Sequence, residues 1–170
     1  MDLLDFHSEP LYFDDPMPAG VDALIREASV HYSDGTAEPF LLRAYFMAPR
    51  QLAVLVALYR FYFYQHRLED AQIVADRAMG IVAERLGFPA SWRELSLHHL
   101  GAGVTLSMGL VRFYFMTLKA AALLCLRCGQ IEEGLAMLEK LTELDTRDRI
   151  GGRALLDVAR SARARACAQA

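Results

Sequence analysis

Side chains at helical spacing recur in this chain at a fixed interval, and that interval limits the folds open to it. Ala37, Leu41, Ala44 and Pro49 stand at steps of +4, +3 and +5, and Ala71, Ala75, Ala78 and Ala83 repeat those steps one interval later. On an α-helix the first three positions of each set fall on one face. Where that face carries small residues, a second helix can approach it closely. An interval of about 34 residues predicts stacked two-helix units, each burying its apolar face only against its neighbours.

The same pattern extends along the chain. In the second unit Leu55, Leu58, Tyr59 and Tyr62 line a first helix, Gln65–Arg67 make a turn, and a second helix begins near Glu69. Tyr59 stands where a small residue would be expected. In "LLCLRCGQIEEGLAMLEKLTELD" Gly129 supplies the turn, Ile131 matches Leu68, and Gly134, Leu138 and Leu141 match Ala71, Ala75 and Ala78. A weaker first unit has Val21, Leu24, Ile25 and Ala28 on its first helix. On these residues the chain resembles the tetratricopeptide repeat family. The resemblance implies an all-α fold: a short helical-hairpin array of about three repeats, at 16–49, 50–85 and 115–148.

The interval from Ala71 to Gly134 exceeds one period by nearly a second, so an extra segment is inserted near 86–114. There Gly87, Pro89, Gly101 and Gly103 read as helix breakers. Ser91 reads as an N-cap with Glu94 as its capping-box partner. The expectation is a loop, a short helix at 92–100 and a long helix from about Val104 to Arg127. After the third unit, Leu155, Leu156 and Val158 predict a polar-backed capping helix over 150–166. Residues 1–15 form an acidic arm, and 16–170 a single domain.

"RFYF" occurs at Arg60–Phe63 and again at Arg112–Phe115. Aromatic density alone suggests strands, but the neighbouring period assigns both to helices. Their separation is not a multiple of the period, so they are not equivalent repeat positions.

Composition excludes several classes. Hydrophobic residues at 54% argue against disorder. The longest wholly apolar run, Leu52–Tyr59, is short of the roughly 20 residues that span a bilayer. The acidic start "MDLLDFHSEP" lacks a basic leader, and three cysteines make no disulfide framework. A cytoplasmic protein with no membrane association is expected. Residues 1–40 carry nine acids and one base, leaving +5 on the remainder of the chain, within a net charge of −3. No basic stripe free of acids points to nucleic acid.

No phosphate-binding loop, nucleophile elbow or zinc-protease motif is present, so no catalytic residue, metal or cofactor is expected and the chain reads as a non-enzyme. Cys125–Cys128 ("CLRC") lacks the second ligand pair a zinc site needs, and Cys125 falls on a core position. His98 and His99 point about 100° apart on a helix. A thiol redox or metal-handling protein built on Cys125 and Cys128 stays open as the alternative from another class.

The repeat resemblance implies a concave face lined by first helices. Carried over residue by residue, it gives partner-binding positions at Arg26 and Val30, at Val56, Arg60, Phe63 and Tyr64, and at Lys119, Leu123 and Arg127, with Arg112 on the lengthened helix before them. Arginine beside tyrosine suits a protein anchor. The chain contains no Asn, so the Lys/Asn carboxylate clamp of chaperone-tail binders cannot be built. "AEPFLLRAYFMAP", "LVALYRFYFYQHRLEDA", "LGFPASWREL" and "LEKLTELDTRDRIGGRALLDVAR" further resemble the small repeat proteins of nitrogen-fixation gene clusters, the nitrogenase-associated factor T family. That resemblance implies a chaperone-like accessory that binds the nitrogenase molybdenum–iron protein in an immature, damaged or cofactor-deficient state. A type III secretion chaperone uses similar repeats and is the competing protein-binding reading.

Overall fold

Each helix packs chiefly on the next one along the chain, with one exception that defines the architecture. The structure, a computed structural model, describes residues 15–32 and 35–168. Among them are α1 (Val21–Val30), α2 (Glu38–Met47), α3 (Leu52–Tyr64), α4 (Leu68–Leu86), α5 (Leu97–Leu106), α6 (Met108–Arg127), α7 (Ile131–Leu144) and α8 (Gly152–Ala168). No strand occurs among the described residues. Packing runs α1 on α2, α2 on α3, α3 on α4, α6 on α7 and α7 on α8, whereas α4 bypasses α5 and packs on α6. The chain is therefore an all-α array of hairpins closed by α8, with α5 set against the side of α6.

Two of the hairpin turns are the same turn. Between α3 and α4 the Gln65 N–H donates to Phe61 O at 3.0 Å and the Arg67 N–H to Tyr62 O at 2.9 Å. Between α6 and α7 the Cys128 N–H donates to Leu124 O and the Gln130 N–H to Cys125 O, both at 2.8 Å. These bonds satisfy carbonyls that the helix end would otherwise orphan. They require a left-handed residue between the donors, which is Gly129 (φ 80°) in one turn and His66 (φ 58°) in the other.

The recurring positions disappear from solvent, except Pro49, which is exposed in the turn after α2. Ala37, Leu41, Ala44 and Ala71 are fully buried, and Ala75, Ala78 and Ala83 nearly so. Because these methyl groups set the helix separation, Ala71→Leu is expected to lower stability by about 1–3 kcal/mol through overpacking. Urea unfolding checks this, and an unchanged midpoint would mean that the α3–α4 contact has slack.

The insertion differs from its sequence reading. The segment expected to hold a short helix at 92–100 has a single 3-10 turn, Trp92–Glu94, followed by the separate helix α5. The long helix does not start at Val104: Ser107 is extended and its Oγ accepts the Leu110 N–H at 3.2 Å, ending α5 and capping α6. Ser91 Oγ accepts from Arg93 N–H, and the pairing expected with Glu94 is made instead at Ser96, whose N–H donates to His99 Nδ1 at 3.2 Å. Gly101 and Gly103 do not break the helix. A Cβ on Gly103 would stand 2.6 Å from the Phe88 ring, so this glycine is what lets α5 lie against Phe88.

The stripe expected on α8 is also shifted. Gly152, Leu156 and Ala159, one helix face, are buried against α7, while Val158 is 64% exposed. Both RFYF segments are helical, in α3 and α6, with Phe61, Tyr62, Phe113 and Tyr114 in the core. By length and composition α6 could cross a membrane, yet two thirds of its apolar window is buried inside the protein, where α4, α5 and α7 cover it. The acidic arm lies outside the described residues except for Asp15. That carboxylate pairs with Arg85 at 2.5 Å, and its carbonyl accepts from Gln51 Nε2 at 3.4 Å.

Candidate functional site

The end of α3 carries too many large side chains for one interior. Leu55, Leu58, Tyr59 and Tyr62 turn into the core, which leaves Arg60, Phe63 and Tyr64 together on the other side at i, i+3 and i+4. Phe63 stacks on Tyr59 with ring centroids 5.9 Å apart and meets Tyr64 edge-on at 6.0 Å. Phe63 is half-buried, whereas Tyr64 is 52% exposed.

Two other segments reach this patch. Tyr32, just past α1, donates its hydroxyl to Ala57 O at 2.7 Å and sets its ring perpendicular to Phe61. Burial pushes the Tyr32 hydroxyl up to about 12; nearby Arg60 pulls against that rise and Tyr64 adds to it, so all three share one electrostatic neighbourhood. From α6 the Arg127 guanidinium lies over Phe63, 5.1 Å from the ring centroid. Such a cation–π contact is worth about 0.5–1 kcal/mol when exposed. The result is a face spanning two hairpins, in which arginine donors flank aromatic rings. It offers flat apolar contact together with hydrogen bonds to carboxylates or carbonyls.

The expected binding residues divide into groups. Arg60, Tyr64 and Arg127 belong to this face, and Leu123, half-buried, lies one turn before Arg127. Lys119 is committed elsewhere: its Nζ donates to Ile150 O at 2.9 Å and holds the α7–α8 connection. Arg26 points to solvent and is engaged with Asp22 one turn earlier. Arg112 lines a separate cavity of about 470 Å³ between α5, the start of α6 and the α7–α8 connection. Its apolar wall includes Leu100, Val104, Val111, Phe115 and Ile150, and Arg147 and Arg149 join Arg112 around it. Asp145, also lining it, accepts the Ile150 N–H at 2.8 Å.

No protein-family model matches the chain, and neither does any solved structure. It is 49% identical over 158 residues, 93% of this chain and 88% of the other, to a protein of Azotobacter chroococcum mcd 1 described as an uncharacterized 19.8 kDa protein in the nifW 5′ region. The chain belongs to that protein's family. The family is thereby linked to a nitrogen-fixation gene region.

In this member of the family the surroundings of both CLRC cysteines disfavour the thiolate. Cys125 is fully buried, with the Gln72 amide 3.4 Å from its sulfur. Burial, followed by Asp76 and Glu133, pushes its thiol up to about 11. Burial also raises Cys128, with Glu69 adding to it. Since the thiolate is the reactive form, titration with a thiol reagent at pH 8 is expected to consume exposed Cys167 first and Cys125 only after denaturation. Two fast thiols at Cys125 and Cys128 would restore the redox reading.

Sequence reasoning missed Tyr32 and the Ala57 carbonyl. Tyr32 lies in a turn, outside any helical period. Its only signal was to be a large aromatic directly after an amphipathic helix.

Proposed function

We propose that this protein is a non-catalytic, tetratricopeptide-type interaction module of the cytoplasm. On this reading it is an accessory to nitrogen fixation that binds the nitrogenase molybdenum–iron protein in an immature, damaged or cofactor-deficient state. The observation that carries the binding reading is the convergence of Tyr32 from the turn after α1, Arg60, Phe63 and Tyr64 from α3 and Arg127 from α6 onto one partly exposed face. Aromatic and arginine side chains dominate binding hot spots, and a face held by two packed hairpins is pre-ordered, so little freedom is lost on docking. The nif-region relative supports the choice of system.

The mechanism needs no chemistry. A rigid helical surface covers a locally exposed region of the partner and stabilises that state by mass action, about 2.7 kcal/mol when free protein stands at 100 times its Kd. The test is affinity capture from a nitrogen-fixing bacterial lysate with mass spectrometry of the retained proteins. The molybdenum–iron component should dominate the eluate, and more strongly from cells blocked in cofactor synthesis. A lysate that contains nitrogenase but gives an eluate without it would defeat the proposal.

A further inference from the structure

The cavity beside α5 pairs two features that select one kind of ligand. Its wall is apolar, and three arginines surround it; Arg147 and Arg149 are exposed and Arg112 is half-buried. At about 470 Å³ it is large enough to take a bulky side chain whole. The lining itself opens to solvent at Met108, which is 53% exposed, and α5, which carries no Asp, Glu, Lys or Arg, adds exposed Leu97 and Leu106. An occupant with apolar side chains and several carboxylates fits, whereas a cation or a purely polar ligand does not.

A segment of that chemistry lies within the same chain. Residues 1–14, MDLLDFHSEPLYFD, hold Asp2, Asp5, Glu9 and Asp14 without one lysine or arginine, and Leu3, Leu4, Phe6, Leu11, Tyr12 and Phe13 stand among them. Its root is fixed by Asp15, which Arg85 and Gln51 hold where α4 ends and α3 begins. That is the end of the array from which the chain passes through α5 into α6. Phe6 stands nine positions before Asp15, a reach of about 30 Å at full extension. Tethering raises the local concentration of such a segment to the millimolar range, so modest contacts suffice.

We propose that this cavity is the docking site of residues 1–14. An aromatic side chain of the arm, Phe6 first, enters the apolar cavity, and its flanking carboxylates pair with Arg147 and Arg149. A partner presenting an acidic, apolar segment then competes with the chain's own arm for the site. The proposal does not depend on which protein binds the α3–α6 face.

Photo-crosslinking in the full chain tests it without any partner. Phe6→p-benzoylphenylalanine is irradiated, and the adducts are mapped by mass spectrometry. The expected result is intrachain adducts concentrated in residues 97–115 and 144–150. Their yield should fall at least fivefold in Arg147→Glu/Arg149→Glu and in about 0.5 M salt, where charge attraction is screened. Val104→Trp, which fills the cavity without touching its charge, should lower the yield as well. Adducts scattered over the surface, confined to the α3–α6 face, formed between two chains, or indifferent to the charge reversal would each overturn the proposal.

Discussion

Arg60→Glu combined with Tyr64→Ala is expected to abolish capture of the molybdenum–iron component while the far-ultraviolet circular dichroism stays that of the parent chain. Tyr64 is half-exposed, so truncating it removes contact area without opening a core cavity. The Arg60 change reverses a charge beside Tyr32, where a carboxylate would repel the acidic groups that a basic, aromatic face attracts. Hot-spot truncations cost about 2–4 kcal/mol each, and the pair together should move the affinity by at least a hundredfold. Phe63→Ala is the wrong probe, since its ring stacks on buried Tyr59 and its loss would cost stability as well. Reduced helicity in the double variant would mean that Arg60 and Tyr64 hold the fold. Binding that persists with helicity intact would place the partner on another surface.

The second large effect concerns how closely α6 and α7 approach. Replacing a helical glycine with alanine ordinarily stabilises by about 0.5–1 kcal/mol, because glycine loses more backbone freedom on folding. Gly80 in α4 has open space where a Cβ would go, and Gly80→Ala should show that gain. At Gly134 a Cβ would stand 2.7 Å from Leu126 Cγ and 2.9 Å from the Ala122 carbonyl oxygen. The leucine side chain can rotate away, but the carbonyl is part of the α6 ladder. The sign therefore reverses, and Gly134→Ala should lose about 1–3 kcal/mol by overpacking. Urea midpoints moving in opposite directions for the two variants would bear this out. A gain at both would show that α6 and α7 separate without penalty.

What was legible in the sequence was whatever repeats. Small residues at a fixed interval, Ala37 and Ala44 and then Ala71, Ala75 and Ala78, mark buried helix faces, because the size of a side chain sets the distance between helices. The α3–α4 turn was equally plain from the helical spacing on both sides of it. The second helix boundary in the insertion was not legible. Helix continues through Gly101, Gly103, Val104 and Thr105 in spite of their poor propensity, and only the extended backbone of Ser107, with its hydroxyl turned to Leu110, shows that the chain stops and restarts there rather than earlier. Gly103 misled for a related reason: a glycine reads as a breaker, but here it is a packing residue under the Phe88 ring. On the candidate face, the α3 positions followed from helical geometry. Lys119 shares a helix with Arg127 yet was drawn to the Ile150 carbonyl by a loop far along the chain, and no local pattern carries that information.

The bypass of α5 has a consequence for how the molecule opens. Stability in an array is transmitted from each helix to the next it touches, and the line of transmission runs from α4 straight to α6. The ten residues of α5 lie beside that line. They can detach and reattach while every hairpin stays shut, so their amide protons should exchange with solvent well before those of α4 and α6. Among the described helices, the first to open is then expected to be one in the middle of the chain and not one at its ends.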